Sequence, residues 1–415
     1  MKIIVSNTAA PPHVQQVVMA YEEAGMLDHF LTAFFDHPEN RLSTFFRQFS
    51  FLAAEVERRS FPELPIGKFR ARPWPELLRS LAARKAPPGL TDRIWEWAEL
   101  GFDRWAAAEV KRWSPDAVHT YEHAALATLK MADKLGIFSV YEQPSQHHTF
   151  FTEAARGQLA LYPELRDAES ELLVNFKAAA RNQRRDEELA LASLVLCNSS
   201  FTRQTLVSGG VEEAKIMTIP LGFPEVSAGM RAKQDGGPLI FLTAGNQSLR
   251  KGAHILYRAW RDCAFRPEEA ELWIVGKMFL PEALRRGLPG RVVIRENVPR
   301  ADLMELYGLA GVFVLPTLAD GFGMVVTESM SQGTAVIATE NCCGPDVIRP
   351  MENGWIVPAG DPEALAAQLR WCVAHRPEVR AAGQAAHAAA KQWPWSAYRK
   401  TVAKNIAEKW LEKGK

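Results

Sequence analysis

The chain has 415 residues, 49 Lys and Arg against 48 Asp and Glu for a formal charge of +1, and an apolar share of 47%. That length and apolar share exclude a disordered chain, and the charge balance leaves no global field for gripping nucleic acid, so no nucleic-acid partner is expected. Five cysteines without a CxxC pair exclude a disulfide framework or a zinc-finger motif and point to a reducing compartment. With no run of 18 apolar residues and no signal-peptide pattern at the start, the expectation is a soluble, cytoplasmic protein.

Residues 1–6 are a short apolar, β-branched run ending in a loop of small residues and two prolines, and residues 14–24 carry a helical pattern. Strand, loop and helix in that order open a doubly wound α/β domain. The stretch 41–85 is different. Ten basic residues, from Arg41 and Arg47 to Arg84 and Lys85, face only Glu55, Glu57, Glu63 and Glu76, and Phe45, Phe46, Phe49, Phe51, Phe61, Phe69 and Trp74 are interleaved with them. It reads either as an amphipathic surface for anionic lipid or as helices of an insertion that bury their aromatics and solvate their charges. Strand-like runs follow at 117–120, 138–141 and 194–198, each leading into a helical pattern, which is the alternation of a parallel sheet.

Residues 222–237 lose periodicity and collect Gly, Pro and charge, as a linker does. The alternation then restarts, with strands at 239–244, 271–275, 292–294, 312–315 and 335–338 and helices through Arg261, around 301–309 and over 325–331. A final Lys- and Trp-rich helix covers 396–413. The expected division is a domain over 1–222, a linker over 223–237, a second domain over 238–392 and a terminal segment over 393–415. In open parallel sheets ligands bind beyond the C-terminal strand ends, so residues just after each strand are the site candidates.

The most informative of these follows the strand at 312–315: Asp320, Gly321, Phe322, Gly323, Met324 and Val325, with Glu328 one helical turn on. Two glycines let backbone approach a ligand, and the free N–H groups and dipole of the next helix make an anion cradle. Carboxylates on either side of it suit a ligand with both hydroxyls and a diphosphate. A two-glycine loop alone is more often a simple turn, and a lone Lys251 more often a solvated helix-start lysine. The two together carry the reading.

This stretch resembles the acidic-GFG-x4-Glu signature of retaining glycosyltransferases of family 4, whose fold is GT-B, two Rossmann-like doubly wound domains facing a cleft. The similarity extends over most of 190–400: the VLCNSSF strand end, KIMTIPLGF at 215–223, Lys251-Gly252 after Gly245, the strand ending at Gly276, and the aromatic segment 393–398 before a helix that crosses back to the first domain. The resemblance implies that Lys251 stabilises the leaving diphosphate, that Glu328 holds the ribose, and that Asp320, shorter than the usual Glu, contacts the donor sugar. It implies further donor contacts from Gly245, Arg250, Gly276 and the loop 321–325, and backbone reading of the base at 295–298, which includes Asn297 and Val298. Asn246 stands where the family usually has an arginine, and Arg250 is its expected substitute.

The first half departs further from the family. Its first loop, ending at His13, lacks the usual Gly-Gly pair. Glu142 is nearest to the position of a family histidine and is expected near the reacting sugar, against the plainer reading of a solvated loop carboxylate. His13, His119, Glu122, His147 and His148 are the remaining acceptor-side candidates. His119 and His123, four apart, fit one helix face, though satisfied surface histidines are the commoner case. Adjacent His147 and His148 are not expected to face one point, and no third ligand is evident, so no metal site is expected; Cys342-Cys343 reads as a packed turn. The implied reaction is metal-independent transfer of a sugar, with retention, from a nucleotide-sugar (UDP- or GDP-linked) to a glycan, glycolipid or lipid-linked acceptor, with no cofactor, in polysaccharide synthesis at the inner face of the cytoplasmic membrane if the 41–85 stretch meets lipid. A GT-B sugar-nucleotide epimerase and an inactive nucleotide-binding subunit are the alternatives. A NAD-dependent dehydrogenase fits least, because the first βα turn has no GxGxxG.

Overall fold

The computed structural model describes residues 1–48, 56–57, 59–76, 78–79, 88–166, 176–226 and 236–413. Two parallel sheets organise them. The first contains β1 (Ile3–Ser6), β2 (Leu27–Thr32), β3 (Phe69–Ala71), β4 (Ala117–Tyr121), β5 (Phe138–Gln143), β6 (Leu194–Cys197) and β7 (Ile216–Thr218), in the order β3-β2-β1-β4-β5-β6-β7. The second contains β8 (Leu239–Ala244), β9 (Ala270–Val275), β10 (Arg291–Arg295), β11 (Val312–Leu315), β12 (Ala335–Thr339) and β13 (Gly354–Val357), in the order β10-β9-β8-β11-β12-β13. In both, the strand order reverses beside the first strand, which opens a crevice at the C-terminal ends of the strands on either side. Strands such as IIVS and VFVL are buried along their whole length because helices cover both faces of a parallel sheet.

The helices that matter below are α1 (Pro12–Glu23), α2 (Pro88–Trp113), α3 (His148–Leu161), α4 (Phe176–Leu191), α5 (Ala253–Cys263), α6 (Met324–Ser331) and α7 (Trp395–Lys413). The last crosses back. Trp393 donates its indole N–H to the Pro220 carbonyl at 2.9 Å, and Phe223 N–H reaches the Trp393 carbonyl at 2.9 Å. A Cβ on Gly222 would lie 2.7 Å from Trp395 Cα, so only glycine lets the two crossing segments touch. Beyond that crossing, Arg399 binds Glu23 at 2.9 Å and Gln16 at 2.7 Å, fastening α7 to α1.

Several expectations are corrected. The strands at 27–32, 69–71, 216–218 and 354–357 are absent from the sequence reading. β3 lies inside the 41–85 stretch, so part of that stretch is an edge of the first sheet and not a helical insertion. Its aromatics divide. Phe61 and Phe69 are buried and Phe69 stacks on Phe35 with ring centroids 3.8 Å apart, while Phe45 and Trp74 are 52% and 70% exposed. Its charges are not all solvated either, because Arg59 is buried against Glu76. Phe49, Phe51, Glu55, Arg58, Arg84 and Lys85 lie outside the described residues, as do residues 227–235 of the expected linker.

Candidate active site

The candidate donor side is built around one close approach. Gly252 precedes α5 with φ +66°, and a Cβ there would lie 1.7 Å from the Pro316 carbonyl oxygen, so only glycine fits. That approach lets the Arg250 carbonyl accept from Leu318 N–H at 2.9 Å and from Thr317 Oγ1 at 2.9 Å. The Arg250-Lys251 segment is thereby held against the loop that leads to Asp320. Lys251 Nζ pairs directly with Asp320 Oδ2, and Arg250 Nη1 lies 3.4 Å from Oδ1. Burial alone pushes the Asp320 carboxyl up, but the two cations beside it hold it below the ordinary aspartate value.

Gly323 caps α6 with φ +84°, in the left-handed region that favours glycine. No side chain caps this helix, and its first N–H groups form a patch of positive potential that complements an anion. Phe322 is packed into the core, its carbonyl accepting from Cys343 N–H at 2.8 Å, and Met324 and Val325 are half-buried at the helix start. Cys342 and Cys343 are buried free thiols. Glu328, one turn into α6, meets Arg300 at 2.9 Å and accepts from the Tyr307 hydroxyl at 3.4 Å. Burial raises its carboxyl above the ordinary value despite Arg300. Arg300 has no local sequence signal, for it lies 28 positions from Glu328 and meets it only through the fold. Gly245 and Gly276, at the ends of β8 and β9, lie so close that a Cβ on Gly276 would be 2.2 Å from the Gly245 carbonyl. Asn246 is exposed beside them, and Asn297, with φ +55°, and Val298 follow β10.

The first domain meets this loop directly. A Cβ on Gly321 would lie 1.8 Å from the Pro144 carbonyl oxygen, and the Gly321 carbonyl accepts from Ser199 Oγ and from Thr202 Oγ1, the latter at 3.0 Å. Asp346 accepts from Ser200 N–H at 3.0 Å. α3 and α5 also touch, with His254 Nε2 2.9 Å from Gln158 Oε1.

The acceptor-side candidates do not form one cluster. His119 lies on β4 and His123 in the following turn with φ +87°, so they share no helix face. Glu142 is 1% exposed and not a solvated loop carboxylate: its Oε2 is 3.1 Å from His119 Nε2, whose Nδ1 is 2.8 Å from the Tyr21 hydroxyl. A proton on Nε2 satisfies both contacts. Burial and the Glu142 charge push the Tyr21 hydroxyl well up, and burial pushes His13, in the first turn of α1, down despite Glu142. Glu122 lines a separate cavity of about 470 Å³ with Trp95, Arg181, Arg185, His148 and Phe151. Its carboxylate accepts from Ser145 Oγ at 2.5 Å and lies 3.1 Å from Arg185 Nε, and although burial raises it, His123 and Arg185 hold it low.

The expectation that adjacent histidines cannot face one point does not hold at His147 and His148. α3 begins between them, and their rings lie 4.2 Å apart, both Nε2 atoms reaching Asp186 Oδ1, at 3.5 Å and 2.7 Å.

The family model for glycosyl transferases group 1 matches residues 230–389. Among curated relatives, a probable sucrose-phosphate synthase 5 of Oryza sativa is 31% identical over 108 residues, 23% of this chain and 11% of that protein. The lipopolysaccharide core biosynthesis glycosyltransferase LpsE of Rhizobium meliloti is 28% identical over 220 residues, 49% of this chain and 63% of that one. The matches thus span less than two thirds of these relatives' own lengths. Anabaena HepE, solved in complex with UDP, superposes with a TM-score of 0.60 at 15% identity, over 98% of this chain and all of that one, a likeness of fold. No described helix is long and apolar enough to cross a membrane. Residues 230–389 are thus similar to the glycosyl transferases group 1, and the two sheets together make a two-domain GT-B fold.

Proposed function

We propose that this protein is a retaining glycosyltransferase that moves a sugar from a nucleotide-diphosphate donor, a UDP- or GDP-sugar, to a glycan, glycolipid or lipid-linked acceptor in envelope polysaccharide or glycoconjugate synthesis. The observation that carries the reading is the Lys251–Asp320 pair, flanked by Arg250 and set beside the glycine-capped start of α6. The donor diphosphate replaces Asp320 as the partner of Lys251, and the released Asp320 carboxylate accepts hydrogen bonds from donor-sugar hydroxyls. Glu328 does the same for the ribose, and the loops after β8, β9 and β10 surround the nucleotide. The UDP bound by Anabaena HepE supports this class of donor.

In the transfer step the bond from the anomeric carbon to the phosphate oxygen breaks as the acceptor oxygen bonds to the same face. The acceptor proton passes to the leaving phosphate oxygen. Lys251, Arg250 and the N–H groups of Met324 and Val325 take up the charge that appears there, so protein charge does the work of a divalent ion and the transfer is metal-independent. Glu142, oriented through His119, faces the reacting sugar from the first domain, and the cavity beside Glu122 receives the acceptor. Exposed Phe45, close in the chain to Arg41 and Arg47, and exposed Trp74 bring the first domain to the inner face of the cytoplasmic membrane. Flotation with anionic liposomes checks that part, and a protein that does not float in any of them removes it.

The deciding experiment is calorimetry against UDP, GDP and ADP, first without metal and then with magnesium. Saturable binding of one nucleotide without metal is expected. If none binds, the inactive-subunit reading takes over and the uncharged Asn246 becomes its explanation.

A further inference from the structure

We infer that His147, His148 and Asp186 form a binding site for a divalent transition-metal ion, distinct from the donor site. Among the described residues, these three are the group of ligating side chains whose donor atoms all lie within 4.8 Å of one another. His148 Nε2 is 2.7 Å and His147 Nε2 is 3.5 Å from Asp186 Oδ1. Two imidazole nitrogens and one carboxylate oxygen match the ligand set that holds zinc with a coordination position left open, and imidazole selects zinc, cobalt or nickel over the oxygen-seeking magnesium and calcium.

The histidines are held in place by their surroundings. The His147 ring is buried against Gly209, where a Cβ would lie 2.6 Å from ring atoms, so the seat requires that glycine. Its main-chain N–H donates to Thr205 Oγ1 at 3.0 Å. Its Nδ1 is 2.7 Å from Thr149 Oγ1. Nδ1 also accepts from Thr149 N–H at 3.4 Å, so without an ion the Nε2 proton faces Asp186. An ion bound at Nε2 displaces that proton, and Nδ1 then carries one that it donates to the Thr149 hydroxyl, the kind of outer partner that metal-bound histidines usually have. Asp186 is about half exposed, which gives an ion its way in.

The bound ion joins the start of α3 to α4, and both helices line the cavity beside Glu122. It also ties down the loop after β5, whose Pro144 touches Gly321. A metal there stiffens the acceptor wall without touching the donor diphosphate.

The test is calorimetry with zinc chloride on the full-length protein stripped with a chelator, with cobalt(II) absorption as a second readout. One equivalent is expected to bind, with a visible d–d band of a low-coordinate cobalt site and a rise in melting temperature, because a ligand bound only by the folded state stabilises it. His148→Ala and Asp186→Asn should each weaken this binding by roughly tenfold or more and abolish the thermal shift. Unchanged far-UV circular dichroism shows that the variants fold. The inference falls if no equivalent binds, or if both variants bind zinc as the wild type does, which would locate the ion at the cysteines or elsewhere.

Discussion

The first six strands of one sheet and the six of the other follow the same order, yet the sites above them are built differently. Above the second sheet, the charged groups proposed to meet the diphosphate come from short contiguous segments. Arg250, Lys251 and Gly252 are consecutive, and Asp320 to Glu328 span one loop and one helical turn. Above the first, the polar groups come from far apart in the chain: Tyr21, His119 and Glu142 in one cluster, and Glu122, Ser145 and Arg185 in another. On the proposed reading the second-sheet site meets a fixed chemical group, a diphosphate on a ribose, and the local backbone geometry suited to that group leaves a motif. A site assembled from several strand ends and helices leaves none.

The sharpest way to break this contrast is at Lys251. Lys251→Ala should lower turnover by roughly a hundredfold to a thousandfold, the cost of losing one preorganised charge at the leaving group. Near-normal release of nucleoside diphosphate in a coupled assay would remove the donor assignment. Glu328→Ala should weaken nucleotide affinity by about tenfold or more, since hydrogen bonds to charged groups contribute roughly 1.5–3 kcal/mol. Calorimetry with the free nucleotide reads that directly, and an unchanged affinity moves the ribose elsewhere.

Gly321→Ala tests how the two sides communicate. The new methyl would push against the Pro144 carbonyl, so the domains should separate while each keeps its fold. Small-angle scattering should show a larger radius of gyration and turnover should fall several-fold, with donor affinity less affected. If the scattering profile matches the wild type, the contact does not hold the domains together.

Glu188 sharpens the comparison from the first domain alone. It accepts from the Tyr141 hydroxyl at 2.9 Å, and burial lifts its carboxyl from 4.5 to about 7. A carboxyl raised on folding adds stability that is complete below pH 4.5 and is lost as pH rises through about 7. The wild type should therefore lose stability relative to Glu188→Gln across that window, by at most about 3 kcal/mol. Denaturation curves for the two proteins that stay parallel from pH 4.5 to 8 would show that Glu188 does not titrate there.

Legibility followed the range of the interaction. The alternation of buried strands and helices was readable because a parallel sheet covered on both faces demands continuous apolar runs, and IIVS and VFVL supply them. β2 and β3 were not readable. β2 carries Asp28 and His29 inside its run, and β3 has three residues in a basic, aromatic stretch whose pairing to β2 is decided across the sheet edge. The Lys251 and Asp320 positions were visible, but their pairing depends on Gly252 passing beneath Pro316. Arg300 was invisible because nothing local marks it. His147 and His148 were misjudged because adjacency in the chain says little about convergence once Gly209 fixes one ring and α4 brings Asp186 to both.

Local sequence sets the doubly wound class, the two-glycine loop and the identity of the groups beside it, because turn geometry, helix starts and periodicity are properties of neighbouring residues. Packing alone settles which of those groups pair, which carboxylates are buried and shifted, how the Gly321 loop docks on the first domain, and that His147 and His148 at the start of one helix meet Asp186 from another. Those outcomes depend on contacts between residues tens to hundreds of positions apart, and burial, which sets their energies, exists only once the chain has packed.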